Sequence, residues 1–142
     1  MREIKKPPRE KGGRITSKAT DKRINYDNNY GKLAFSSACD KHCLLSSWQS
    51  RELDELIGYF KLVEKLLWKE IIMESNGLDY EEHHYIALPK PHSLPPDTSL
   101  HSMRVTQRMR VFGYRTQDFF NIIWFDRNHI VCPVDKPKEY VI

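Results

Sequence analysis

The 142-residue chain contains no apolar run near the roughly 20 residues that a helix needs to cross a bilayer. That excludes a helical membrane span from the sequence. Cysteine is scarce: Cys39, Cys43 and Cys132 make an odd number, which fits reduced thiols better than a disulfide framework. There is no glycine-rich phosphate loop, no Gly-x-Ser-x-Gly elbow and no His-Glu-x-x-His pair, so the common nucleotide-hydrolase, serine-hydrolase and zinc-protease signatures are missing. No internal repeat is visible. The opening MREIKKPPREKGG has no apolar stretch behind its charges, and its prolines, glycines and acids fit a transit peptide poorly. A soluble, cytoplasmic protein is the expectation.

Cys39-Asp-Lys-His42-Cys43 has some likeness to a metal loop, but no second close pair of ligands follows it. Partly buried ordinary thiols are expected there, with no metal and no cofactor. His83-His84 follows Glu81-Glu82, yet a strand sends neighbouring side chains to opposite faces, which is poor geometry for a shared ion. His92 and His101 flank a proline-rich loop, and their spacing supports no metal site.

What the chain does have is an uneven charge. Residues 1–23 carry nine Lys/Arg against Glu3, Glu10 and Asp21, a net +6, whereas the whole chain is only +4 and the remainder is therefore −2. The basic character belongs to the N-terminal stretch, so any cationic site in the body must be local. Residues 1–30, rich in Lys, Arg, Pro, Gly, Asp and Asn, read as a disordered basic arm. Lys5, Lys6, Arg9, Lys11 and Arg14 are its candidate contacts to nucleic acid; the competing reading is a solubilising tail. Residues 31–134 read as one α+β domain, and 135–142 as a polar tail.

Within the domain, Lys32–Ala38 is expected to be a strand. Ser50 opens a helical segment as its N-cap, with Glu52, Asp54 and Glu55 near the positive end of the helix dipole. Leu53, Leu56, Ile57, Phe60, Val63, Leu67 and Ile71 recur at spacings of three and four, one apolar stripe. Gly58 weakens the interior, and a break near Leu66 to Lys69 makes one long helix or a helical hairpin equally compatible. Asn76-Gly77 ends the segment. His83–Leu88 reads as a short edge segment, and Pro89–Asp97 as a surface loop. Four strands are then expected: Leu100–Gln107, Met109–Arg115, Phe119–Phe125 and His129–Cys132, with turns at Thr116–Asp118 and Asp126–Asn128. Phe119–Phe125 (FFNIIWF) is apolar enough to be central and buried on both faces. Helices packed on a small, mainly antiparallel sheet make an α+β fold.

Basic and apolar residues alternate from Met103 to Arg115, which predicts a cationic sheet face. Arginine forks hold phosphate in two-point contact, so Arg104, Arg108 and Arg115 are candidate RNA-backbone ligands, with Arg110 beside them. Tyr114 can stack on a base or give a proton, and His129 suits general acid–base work near neutral pH. A ribonuclease working without a metal needs a base for the 2′-hydroxyl, cations for the phosphorane and an acid for the leaving oxygen. Arg110, Tyr114 and His129 are the candidate catalytic set. The plainer readings are a solvated arginine face, a turn histidine and a tyrosine at the core edge. Trp48 and Trp68 are expected to anchor the helical segment.

The order strand, helical segment, antiparallel strands, together with Met103–Val131 (MRVTQRMRVFGYRTQDFFNIIWFDRNHIV), resembles the RelE/ParE-like toxins of bacterial toxin–antitoxin pairs. Phe112-Gly-Tyr-Arg115, then Phe120-Asn-Ile-Ile-Trp-Phe-Asp126 with Asn128-His129, looks like a recurring ending in small bacterial and mobile-element proteins. The resemblance implies a cytoplasmic, metal-independent endoribonuclease of the messenger-RNA-cleaving kind, with RNA or the ribosome as target and a cognate antitoxin or other protein as partner. On that reading Arg104, Arg108, Arg110 and Arg115 grip phosphate while Tyr114 or His129 moves protons. Two features depart from it: the body's net −2 and the long Pro89–Pro96 loop. The competing class is a non-enzymatic interaction module, which binds nucleic acid or inhibits a partner protein in mobile-element defence or counter-defence.

Overall fold

The computed structural model describes residues 24–73, 76–133 and 139–142. The arm's Lys5, Lys6, Arg9, Lys11 and Arg14 lie outside the described residues, as does half of the segment assigned to the C-terminal tail, 135–138.

The elements run β1 (Lys32–Ala34), α1 (Ser50–Lys65), α2 (Trp68–Ile72), β2 (Glu81–His83), β3 (Tyr85–Ile86), β4 (Leu100–Arg104), β5 (Arg110–Thr116), β6 (Phe119–Asp126) and β7 (Tyr140–Val141). Two 3-10 turns, Tyr26–Asn28 and Leu45–Ser47, join them. The main sheet has the order β1-β6-β5-β4-β2, and β3 pairs with β7 in a separate two-stranded sheet. β1 runs parallel to β6, and the other pairings are antiparallel, so the α+β class is the observed one. β6 lies between two neighbours, and from Phe120 to Asp126 only Asn121 escapes burial. Its pattern of consecutive large apolar residues has that cause: both faces of the strand are covered.

The helices cover one face. Tyr59, Val63, Trp68 and Ile71 pack against Met103, Val111, Phe120 and Ile122. Each fully buried side chain of this size contributes about 1.5–3 kcal/mol. The expected stripe is displaced around the helix. Leu56, Tyr59 and Val63 are buried, whereas Leu53 and Ile57 are exposed, because the sheet contacts a narrower arc than the apolar residues span. Ser50 is the first helical residue rather than the cap; the Gln49 backbone N–H donates to the Glu52 carboxylate at 2.7 Å.

The break falls between Lys65 and Trp68, and its cause is tertiary. The Gly31 N–H donates to the Leu66 carbonyl at 3.0 Å, and the Trp68 N–H donates to the Asn29 carbonyl at 2.9 Å. Tyr30 and Leu67 form an isolated bridge. Residues 29–31, at the expected junction of arm and domain, thus take the backbone groups a continuous helix would have used. Asn76 closes the segment by donating to the Ile71 and Met73 carbonyls and accepting the Leu78 N–H, and Gly77 has φ +86°.

Three sequence expectations are corrected. The opposite sheet face is not a cationic one. Phe112, Tyr114, Ile123 and Trp124 lie beneath Ile86, Leu94 and Val131, with Cys39, Cys43 and Leu88 against them. The cysteine loop and the proline loop fold over it, and alternation alone carries no information about such cover. The first strand stops at Ala34, where the chain turns away toward that loop. The expected last strand, His129–Cys132, is a turn. The buried Asp126 carboxylate accepts the Ile130 N–H at 3.0 Å and the Val131 N–H at 2.9 Å, which replaces ladder pairing by a side-chain cap. The final pairing belongs instead to Tyr140–Val141 with β3. His83 joins these parts: its Nε2 is 2.8 Å from the Ser102 hydroxyl, and its Nδ1 is 3.4 Å from the Cys132 sulfur.

Candidate nucleic-acid interface

The β4–β5 hairpin gathers three of the candidate arginines at one end of the sheet. Arg104 is the last residue of β4 and stands directly across from Arg110, the first of β5. Arg108 is exposed on the loop between them. That loop is tight: the Val105 N–H donates to the Met109 carbonyl at 2.9 Å, and the Met109 N–H to the Thr106 hydroxyl at 3.2 Å.

Like charges set opposite each other across two strands repel. Partial compensation is visible. Arg104 Nη2 reaches Asp79 at 3.2 Å. Arg110 Nη1 donates to the carbonyls of Thr106 at 2.9 Å, Gln107 at 3.1 Å and Met109 at 3.2 Å. Burial, then the nearby Arg104 charge, pulls the Arg110 pKa below the ordinary guanidinium value. Arg104 Nε is buried without a hydrogen-bond partner. Two guanidinium groups across one strand pair, only partly compensated by Asp79, favour an anion at this end of the sheet.

Asp126 closes the same end from β6, where it pairs with Arg110. Arg127 follows and donates from Nε to Glu52 at 2.6 Å, which ties the turn to the start of α1. That hydrogen bond raises the Arg127 pKa and, as the largest cause, lowers that of Glu52. His129 is partly exposed in this turn with φ +59°, a left-handed conformation that histidine tolerates better than most residues. Arg104, Arg108 and Arg110 therefore share one end of the sheet, and His129 follows three residues after Asp126, the last residue of β6.

Tyr114 and Arg115 do not join them. Tyr114 pairs with Asn121, five residues before Asp126 along β6, roughly 16 Å away at strand rise. Its ring is buried, and its hydroxyl is 2.8 Å from the Ser37 hydroxyl. Arg115 projects to the helix side. Its guanidinium lies 4.2 Å from the Trp68 ring centroid, pairs with Asp27 at 2.7 Å and donates from Nε to the Gln117 carbonyl at 2.7 Å. It clamps the β5–β6 hairpin onto α2. Single-strand parity did not separate these roles, because a bulge at Phe112/Gly113 and the covering loops decide them.

Sequence reading missed what the second face holds. A cleft of about 370 Å³ lies between the cysteine loop and the proline loop, with Trp124 among its lining residues. Asp40-Lys41-His42 comes from one wall and Lys90-Pro91-His92 from the other. The recurring Lys/His pairing in two loops was the available signal. Among the described residues no group of three or more His, Cys, Asp or Glu side chains is arranged to hold a metal ion. No helix among them is long and apolar enough to cross a membrane.

No protein-family model matches the chain, and no curated protein matches it. Among solved structures, a chain of the archaeal RelE–RelB complex from Pyrococcus horikoshii OT3 is similar at 12% identity and a TM-score of 0.42, over 68% of this chain and 93% of that one. At that score no chemistry and no partner passes from that complex to this chain.

Proposed function

We propose that the chain engages an RNA backbone at the arginine end of its sheet and acts there as a toxin-like, metal-independent endoribonuclease. The observation that carries this reading is the cross-strand pair Arg104/Arg110, with Arg108 exposed on the loop between them. A phosphate at this end offsets the repulsion between the two cations. Arg108 extends the cationic surface toward the next phosphate. His129, three residues after Asp126, is the proton-transfer group. Tyr114 is buried and bonded to Ser37, so on this reading it supports the sheet from below rather than touching RNA. Arg115, occupied by Asp27 and Trp68, is likewise structural.

A second reading, a binding module without cleavage, is favoured by the engagement of Arg110 with three loop carbonyls. A protein partner of the antitoxin kind would find apolar contacts at the exposed Ile57, Ile72 and Met73. The discriminating experiment is RNA binding and RNA cleavage by the full chain with chelator present, with and without ribosomes. Arg104→Ala and Arg108→Ala are expected to weaken binding and flatten its salt dependence. His129→Ala is expected to abolish cleavage while binding persists. Binding unchanged in both arginine variants refutes the interface. Binding without any cleavage by the wild type leaves the module.

A further inference from the structure

The cleft between the two loops is a built site that the arginine end does not use. One wall is pinned to β6, where the Cys39 N–H donates to the Ile123 carbonyl at 2.8 Å and the Phe125 N–H to the Cys43 carbonyl at 3.0 Å. The other wall is stiffened by Pro89 and Pro91, whose φ angles are locked. The walls are tied together where the Ser93 hydroxyl donates to the Ser37 carbonyl at 2.8 Å. The Ser37 hydroxyl in turn meets that of Tyr114, so the cleft rests on the core through Ser37.

Two independent observations point to a ligand. The first lies at the floor, in a residue that lines the cleft. Trp124 is 1% exposed, and its indole Nε1 is buried without an acceptor. The other two tryptophans show the usual arrangement: Trp48 Nε1 donates to the Phe125 carbonyl at 3.2 Å, and Trp68 Nε1 to the Asp118 carbonyl at 2.7 Å. Buried N–H groups are nearly always paired, and an exception calls for a missing partner. The second lies at the rim. Lys41 and Lys90 are exposed there, one from each wall, and neither ammonium has a carboxylate partner among the described residues. The floor is thus apolar with one unmet donor, and the rim carries two lysines against one carboxylate, Asp40.

We propose that this cleft binds a single nucleotide, a flat ring carrying one phosphate. The ring lies between the prolines and Trp124 and presents an acceptor to the indole N–H. The phosphate sits at the mouth between Lys41 and Lys90. The volume of about 370 Å³ suits a mononucleotide, and mixed apolar and cationic lining is the pattern of pre-formed small-molecule sites. None of the lining residues belongs to the arginine end, so this site stands whether or not the chain cleaves RNA.

The test uses the indole N–H resonances of the isotopically labelled full chain. Trp124 is assigned as the signal missing in Trp124→Phe. Titration with adenosine and uridine monophosphates is expected to move that signal saturably and to leave those of Trp48 and Trp68 in place. Combining Lys41→Ala with Lys90→Ala is expected to weaken binding roughly tenfold or more, since charge-assisted contacts are lost. Both lysines are exposed, so that variant keeps its fold even if Trp124→Phe does not; the Trp124 signal is then assigned through its sequential neighbours. Inorganic phosphate alone is expected to leave the Trp124 signal in place. The proposal is overturned by no movement of the Trp124 signal at millimolar nucleotide. It is equally overturned by inorganic phosphate acting as well as the nucleotide, or by affinity unchanged in the double lysine variant.

Discussion

Asp126 should be worth more to stability than any other carboxylate among the described residues. It is 1% exposed, and its two oxygens accept the backbone N–H groups of Ile130 and Val131. Removing the acceptor leaves both donors without a partner, at about 1–3 kcal/mol each. Asp126→Ala should therefore cost about 2–6 kcal/mol, and Asp126→Asn, which keeps one acceptor oxygen but turns an amide toward the second N–H, about 2 kcal/mol. For a chain of this size 1 kcal/mol moves the melting temperature by about 4 °C. The asparagine variant should thus melt roughly 8 °C lower and the alanine variant lower again. Urea unfolding with an unchanged m-value would confirm that the folded state alone is affected. The same carboxylate faces the Cys43 sulfur at 3.8 Å, and the thiol pKa is pushed up to about 12, first by burial and then by the Asp126 charge. In Asp126→Asn the thiol pKa should fall but stay above its ordinary value, because burial is the larger cause. Variants within about 0.5 kcal/mol of wild type would refute the view that this cap replaces the missing strand.

Gly113 and Gly58 should respond oppositely to alanine. A Cβ at Gly113 would meet the Asn121 carbonyl oxygen at 2.1 Å, so Gly113→Ala should cost about 3 kcal/mol or unfold the sheet. At Gly58 nothing lies within 4 Å, and Gly58→Ala should stabilise α1 by about 0.5–1 kcal/mol; thermal melts of both check the pair. Asp118 should give the acid limb of the stability curve. Hydrogen bonds from Lys32 at 2.6 Å and then Asn29 at 3.1 Å hold its carboxyl below the usual range. The folded state therefore binds that proton less readily than the unfolded chain. The stability it contributes is complete above the unfolded value near ~3.9 and is lost as pH falls through the folded one. Asp118→Asn should flatten that loss in denaturant titrations between neutral and strongly acid pH, and an unchanged acid limb would contradict the pairing.

Local chemistry alone determined much of this protein. The helical segment and its end at Asn76-Gly77 follow from three-and-four spacing and from a glycine that takes φ +86°. The Gln117–Asp118 hairpin and the buried β6 follow from a turn between apolar runs, and no apolar run in the sequence is long enough for a helix to cross a membrane. Those features depend on neighbours in sequence, whose periodicity records which face is wet. Tertiary structure decided the rest. Residues 29–31 broke the helix by taking its backbone groups, and Asp126 turned an expected strand into a capped turn. Two loops covered a face that alternation made look cationic. The arginines divided by position: Arg104, Arg108 and Arg110 at one end, and Arg115 clamped on Trp68 at the other. The Lys41/Lys90 cleft over Trp124 joins segments some fifty residues apart. Each of these depends on which distant surface arrives, and that is set by packing of the whole chain rather than by the pattern of any one segment.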